Sequence, residues 1–315
     1  MAETGTDLVY AATLLRRGEL VAIPTETVYG LAANALDTDA VMKIYATKKR
    51  PTFNPLIVHV AETNDITKYA MDIPLNMWRL AERFSPGPLT YVLPRQAIVP
   101  DVVTGGGDTV ALRVPAHPMA HELLTLIDFP LAAPSANPSG YISPVSAAHV
   151  AAELGDKIPY VLDGGECSVG VESTVVAFDG DKVLVLRAGG VTLEALQEVC
   201  PQVEIRTGAA TGSPGLLKSH YAPRTRLVVG NLARLADEHA GQRLAVLALS
   251  DFPRAENIVA SEILSPNGDL ALAARHLFAA MRRLDQSGAD IIIAERMPEQ
   301  GFGIAINDRL ERASA

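Results

Sequence analysis

An α/β protein in two domains is what this sequence predicts, and three observations carry that prediction. From residue 8 to residue 200, short β-type runs alternate with longer patterns of helical period, the mark of a layered α/β domain. Over 206–226 the alternation stops: RTGAATGSPGLLKSHYAPRTR holds Gly208, Gly212, Gly215, Pro214 and Pro223, a composition that resists helix and strand alike and reads as a linker. A shorter α/β set of about 90 residues then resumes. The expected division is 1–205, 206–226 and 227–315.

Taken in order, the β-type runs place strands at 20–24, 56–60, 89–93, 110–114, 131–133, 160–162, 174–178 and 183–186. Apolar residues at helical spacing place helices at 7–17, 39–48, 75–84, 118–127, 146–154 and 193–199. Thr6 is the candidate N-cap of the first helix and Gly18 its stop. In the second domain, strands are expected at 227–229, 244–249 and 291–294. Before the last of these, Leu270, Ala273, Ala274, Leu277, Phe278, Met281 and Leu284 recur on one helical face.

Composition narrows the function. Hydrophobic residues make up 48% of the chain and charged residues 20%, enough apolar surface for a core and too little charge for a solvated coil. The formal net charge of -9 leaves only a local basic patch for binding phosphate. Two cysteines, Cys167 and Cys200, cannot make a disulfide framework and point to a reducing compartment. The first residues lack a basic segment followed by an apolar run, and no apolar stretch approaches the about 18–20 residues a membrane span needs, so cytoplasm is expected.

Familiar signatures are missing. There is no GxxxxGK[ST], and no GxGxxG follows a strand. His117 and His121 have the i, i+4 spacing of a zinc pair but lack the Glu and third ligand such a site needs. The glycine spacing around Ser168 in GECSVG is wrong for a nucleophile elbow.

Four segments at strand ends carry polar chemistry that packing does not require. In PTETVYGL, Thr25, Glu26 and Thr27 either line a cleft or form an N-cap cluster, and Gly30 is expected to permit an unusual backbone angle. KKRPTFNPLIVH sets Lys48, Lys49 and Arg50 at a helix end, where surface cations complement the helix dipole and contribute little to stability. That role leaves Asn54 and His59 unexplained, whereas a polyphosphate site would use them all. TVALRVP and LAAPSANPSGYISP bring Thr109, Arg113, Ser135, Asn137, Ser139 and Ser143. Arg113, costly to bury unpaired, either meets a carboxylate of the protein or waits for one on a ligand. The fourth, from Gly164 and Gly165 through Ser173 and Thr174 to Arg187, reads alone as a glycine-rich turn and a hairpin.

Together PTETVYGL, NPLIVH, PSANPSG and VESTVV resemble, in order, the threonylcarbamoyl-adenylate synthase family, over about residues 7–200. The linker and the following small domain are similar to its two-domain form. The resemblance implies a twisted mixed-sheet N-terminal domain with a concave basic cleft and a smaller Rossmann-like α/β C-terminal domain. It implies a nucleotidyltransferase that makes threonylcarbamoyl-AMP and pyrophosphate from L-threonine, bicarbonate and ATP, for a downstream tRNA threonylcarbamoyl transferase. By the same resemblance Thr27, His59, Arg113, Ala133 through its backbone, and Ser173 would hold L-threonine. Lys48, Arg50, Asn54, Thr109, Ser135, Ser143, Arg187 and the linker's Tyr221 would surround ATP, with Lys48 and Arg50 catalytic and Mg²⁺ bridging the phosphates.

Departures from the family pattern stand at Lys49, where relatives usually have glycine, at Val145 in place of threonine, and in the linker at Leu217 and Ser219. Two other classes compete: an RNA-binding module, which the net charge of -9 opposes, and a hydrolase or carbamoyl transferase that would not convert ATP to pyrophosphate.

Overall fold

The computed structural model describes residues 2–206, 220–252 and 254–315. These form two compact units, 2–139, 144–168 and 172–206 in the first, and 140–143, 169–171 and 220–315 in the second. The division departs from the expected one in that two short N-terminal segments cluster with the C-terminal sequence. Of the expected linker, 207–219 lie outside the described residues, including Leu217 and Ser219.

The first unit runs β1 (Glu3–Gly5), α1 (Leu8–Arg16), β2 (Val21–Ile23), β3 (Gly30–Asn34), α2 (Thr38–Lys48), β4 (Ile57–His59), α3 (Leu75–Phe84), β5 (Leu89–Pro94), α4 (Asp101–Thr104), β6 (Thr109–Arg113), α5 (Pro118–Leu126), β7 (Leu131–Ala132), α6 (Ala147–Leu154), β8 (Tyr160–Leu162), β9 (Thr174–Asp179), β10 (Lys182–Arg187), α7 (Leu193–Val199) and β11 (Val203–Ile205). Its described strands make one mixed sheet of eleven, in the order β1-β8-β2-β3-β7-β4-β6-β5-β9-β10-β11. β4 and β6 are parallel and put His59 opposite Arg113, so both strands end on the same rung.

Helix α1 buries Ala11, Ala12, Leu14 and Leu15 against Val21, Ile23, Leu131 and Leu162 of the sheet. Its N-cap is Asp7 rather than Thr6, because the Asp7 carboxylate accepts the Tyr10 N–H at 2.9 Å. Gly18 follows at φ 70°, the left-handed stop expected there. Gly30 is a correction: its φ is not positive, and what excludes a side chain is room, since a Cβ there would lie 3.2 Å from that of Ala133. The glycine lets β3 lie close to the PSANPSG segment, with Gly30 bridged to Ser135.

The second unit holds β12 (Arg226–Gly230), α8 (Leu232–Glu238), β13 (Leu244–Ala248), β14 (Ile258–Ile263), α9 (Leu270–Asp285), β15 (Ile291–Glu295) and α10 (Phe302–Ala313). The sheet is parallel throughout, in the order β12-β15-β13-β14. The inner strands are buried apolar runs over Leu244–Ala248 and 291–294, as parallel strands covered on both faces must be. Ala273, Ala274, Leu277, Phe278, Met281 and Leu284 of α9 are buried, which is the stripe read from the sequence.

Candidate functional site

Strand β2 delivers the chain into Thr25, Glu26 and Thr27, all buried. Thr25 Oγ1 donates to the Val28 carbonyl at 2.6 Å. Its one hydroxyl hydrogen is thereby used, so in the 2.8 Å contact between Thr25 and Thr27 the donor is Thr27. Thr27 Oγ1 in turn accepts from an Arg113 terminal nitrogen at 3.0 Å. Thr27 is left as an acceptor only toward any ligand.

Arg113 closes β6 and is 3% exposed. It meets a carboxylate of the protein, the first of the two alternatives: its second terminal nitrogen lies 2.6 Å from Glu26 Oε1, and its Nε donates to the Gly87 carbonyl at 3.1 Å. Glu26 Oε2 accepts the Ala116 N–H at 3.1 Å. Sequence reasoning left Glu26 out of the site, and its signal was its place between two threonines of one polar turn. His59, on the rung beside Arg113, is 2% exposed. Burial, and then the Arg113 charge, push its pKa down to about 3, so the ring is neutral, and its Nδ1 has no partner among the described residues. The Ala133 N–H donates to the Ile57 carbonyl at 3.0 Å, which leaves its carbonyl as the group it can turn to a ligand.

Of the three cations of the basic segment, only Lys49 is exposed. Lys48 is 1% exposed and Arg50 9%, which corrects their reading as surface cations. Lys48 Nζ donates to the Ser135 carbonyl at 2.5 Å and to the Asn137 carbonyl, so the last residue of α2 pins the PSANPSG loop. An ammonium has three N–H groups, so one remains for an oxygen of another molecule. Burial, and then the nearby Arg50 charge, hold the Lys48 pKa well below the ordinary lysine value. Arg50 donates to the carbonyls of Asn54 at 3.2 Å and Pro55 at 2.9 Å. Asn54 is buried, yet its Nδ2 has no partner among the described residues, an expensive arrangement unless a ligand supplies the acceptor. Lys49 caps α2 in the left-handed conformation at φ 52°. Glycine takes that conformation without strain, which is the physical reason a glycine suits this place.

Ser173 and Arg187 meet: Arg187 donates to the Ser173 carbonyl through Nε at 3.1 Å and through a terminal nitrogen at 2.9 Å, and reaches Ser173 Oγ at 3.1 Å. Thr90, fully buried on β5 and missed from sequence, lies 2.8 Å from that hydroxyl. Thr109 opens β6, four residues before Arg113, and alternation sets both on one face. Val145 is 5% exposed, so its side chain is packed inside the first unit.

Ser143 and Tyr221 belong to the second unit. Tyr221, expected beside the nucleotide, is 1% exposed, with its ring stacked on Phe278 at 5.6 Å and the Arg309 guanidinium 5.5 Å from its centre. Ser143 is fully buried, and its carbonyl accepts from Arg282 at 3.4 Å.

Neither Cys167 nor His117 offers a nucleophile system. Burial pushes the Cys167 thiol up to about 12, which keeps it protonated. The His117 ring accepts the Met119 N–H at 3.2 Å, making it the N-cap of α5.

Two family profiles cover the chain. One, described as telomere recombination, matches residues 13–189, and the other, the C-terminal domain of threonylcarbamoyl-AMP synthase, matches 191–315. The chain belongs to the threonylcarbamoyl-AMP synthase family. Similar members are the threonylcarbamoyl-AMP synthases of Pyrococcus abyssi, 41% identical over 96% of this chain and 93% of that one, and of Bacillus subtilis, 40% identical over 98% and 92%. The structure resembles that of P. abyssi Sua5 complexed with L-threonine, at 39% identity and a TM-score of 0.90, covering 100% of this chain and 97% of the other.

Proposed function

We propose that this chain is the enzyme that synthesises threonylcarbamoyl-AMP from L-threonine, bicarbonate and ATP, releasing pyrophosphate, as a nucleotidyltransferase whose product feeds tRNA modification by a threonylcarbamoyl transferase. The observation that carries the reading is the buried node of Arg113, Glu26 and Thr27, which sets guanidinium donors beside acceptor-only oxygens. Such a node matches the carboxylate and ammonium of an amino acid. Arg113 takes the carboxylate, Thr27 and the Ala133 carbonyl accept from ammonium or hydroxyl, and neutral His59 with Ser173 reads the remaining polar groups.

The nucleotide half is a concave basic cleft. Arg50 and the third N–H of Lys48 serve phosphate oxygens, Asn54 Nδ2 finds its acceptor on the nucleotide, and Thr109, Ser135 and Arg187 complete the contacts. The parallel sheet of the second unit we read as Rossmann-like. Magnesium enters as part of the MgATP substrate. The threonine ammonium gives up a proton to solvent, the free amine forms a C–N bond to carbon dioxide with loss of a second proton, or to bicarbonate with loss of water, and an oxygen of the resulting carbamate attacks the α-phosphate as pyrophosphate leaves. Positioning and charge neutralisation supply the catalysis, with no protein nucleophile. No described helix is long and apolar enough to cross a membrane, and a cytoplasmic location suits the substrates.

The test is incubation of the protein with ATP, Mg²⁺, bicarbonate and L-threonine. Pyrophosphate and a threonylcarbamoyl-AMP mass are expected only when all are present. Formation of ADP and inorganic phosphate instead would overturn the adenylate chemistry.

A further inference from the structure

We propose that Glu26 is a positioning residue that makes the amino-acid pocket selective for a zwitterion, resting on the reading that the carboxylate of threonine binds Arg113. Three corners of the Arg113 guanidinium are held by the protein: Nε by the Gly87 carbonyl, one terminal nitrogen by Thr27 and the other by Glu26. A guanidinium has five N–H donors, so one remains on each terminal nitrogen, the pair with which arginine grips a carboxylate. Glu26 is itself held, since its second oxygen accepts the Ala116 N–H. Glu26 is 7% exposed and Arg113 3%, so neither charge is relieved by bulk water.

That arrangement has a chemical consequence. With Glu26 in place the node carries no net charge, and its neutral partner is a molecule with one carboxylate and one ammonium. Remove the Glu26 charge and the node becomes a buried cation, which favours an anion over a zwitterion. Thr25 works in the same direction, because it consumes the Thr27 hydroxyl hydrogen and leaves an acceptor for the ammonium.

Calorimetry with L-threonine and with 3-hydroxybutyrate, its analogue without the amino group, tests this on the full chain. Glu26→Gln keeps an oxygen for Arg113 and removes the charge. Affinity for L-threonine is expected to fall at least tenfold, while that for 3-hydroxybutyrate holds or rises, with ATP affinity unchanged. Equal loss for both ligands would make Glu26 merely structural and overturn the proposal, as would no change for either. Should Glu26→Gln fail to fold, Glu26→Asp keeps the charge at shorter reach. It is expected to bind both ligands more weakly yet retain the preference for threonine, and loss of that preference overturns the proposal. Arg113→Ala separates this from the underlying reading. Unchanged threonine affinity there would show that the amino acid binds elsewhere, whatever the Glu26 variants do.

Discussion

Single side chains in this molecule are committed to stricter tasks than their residue types suggest. Lys48 joins two backbone carbonyls of one loop, so Lys48→Met should remove both charge-assisted hydrogen bonds and cost about 2–4 kcal/mol, read as a shift in the urea midpoint. A loss near zero would mean the loop holds itself. His59 gives a pH signature. Its pKa is about 3 in the fold and about 6.5 in the unfolded chain, so below pH 6.5 the unfolded chain binds a proton the fold refuses. Its contribution is present above pH 6.5 and declines as pH falls toward 3. The stability advantage of the native chain over His59→Gln should therefore shrink by about 2 kcal/mol between pH 7 and pH 5, measured by paired denaturant melts.

At the scale of the element, the end of α2 shows sequence and geometry in tension. Lys49 sits at φ 52°, a conformation costing about 1–2 kcal/mol for a side-chain-bearing residue, against an entropic penalty for glycine of about 0.5–1 kcal/mol. Lys49→Gly should thus raise stability by roughly 0.5–1 kcal/mol, seen as a higher melting temperature. Because the Lys49 side chain is not needed to hold the loop, threonine-dependent pyrophosphate release should survive the change. A destabilised Lys49→Gly would point to a contact made by the lysine side chain.

For the whole molecule, the division into units bears on truncation. Segments 140–143 and 169–171 take their neighbours from the C-terminal sequence. Tyr141 donates to Asp285 at 2.7 Å, Arg282 donates to the Ile142 carbonyl, and Gly170 runs so close to Arg275 that a Cβ would lie 2.4 Å from its Cα. A chain ending at residue 206 should retain the large sheet, whose strands all precede that point. It should melt below the full protein and be cut faster at those two segments in limited proteolysis. Cleavage rates equal to those of the intact chain would show that the segments are held by the first unit alone.

Local patterns were enough to make most of the fold legible. Apolar runs and helical stripes need no partner to be seen, so strands such as β5, β6 and β13 and helices such as α1 and α9 stood out. Of those that escaped, β1 is the short edge segment Glu-Thr-Gly, β3 is built largely of small residues and β14 is an edge strand of mixed polarity, whereas α10 was missed although Ala305, Ile306, Leu310 and Ala313 form a buried face. The polar segments of the site were legible too, because strand ends rich in hydroxyls and cations have no packing purpose. Partners were not. That Arg113 meets Glu26, 87 residues away, and that Lys48 reaches Ser135 across the same separation follow only when β2, β6 and the PSANPSG loop converge. Sequence alone determined which residue types stand at the strand ends. Burial, charge pairing and the direction of each hydroxyl proton were decided by tertiary structure, because those properties belong to pairs of groups and arise only when distant segments exclude water from between them.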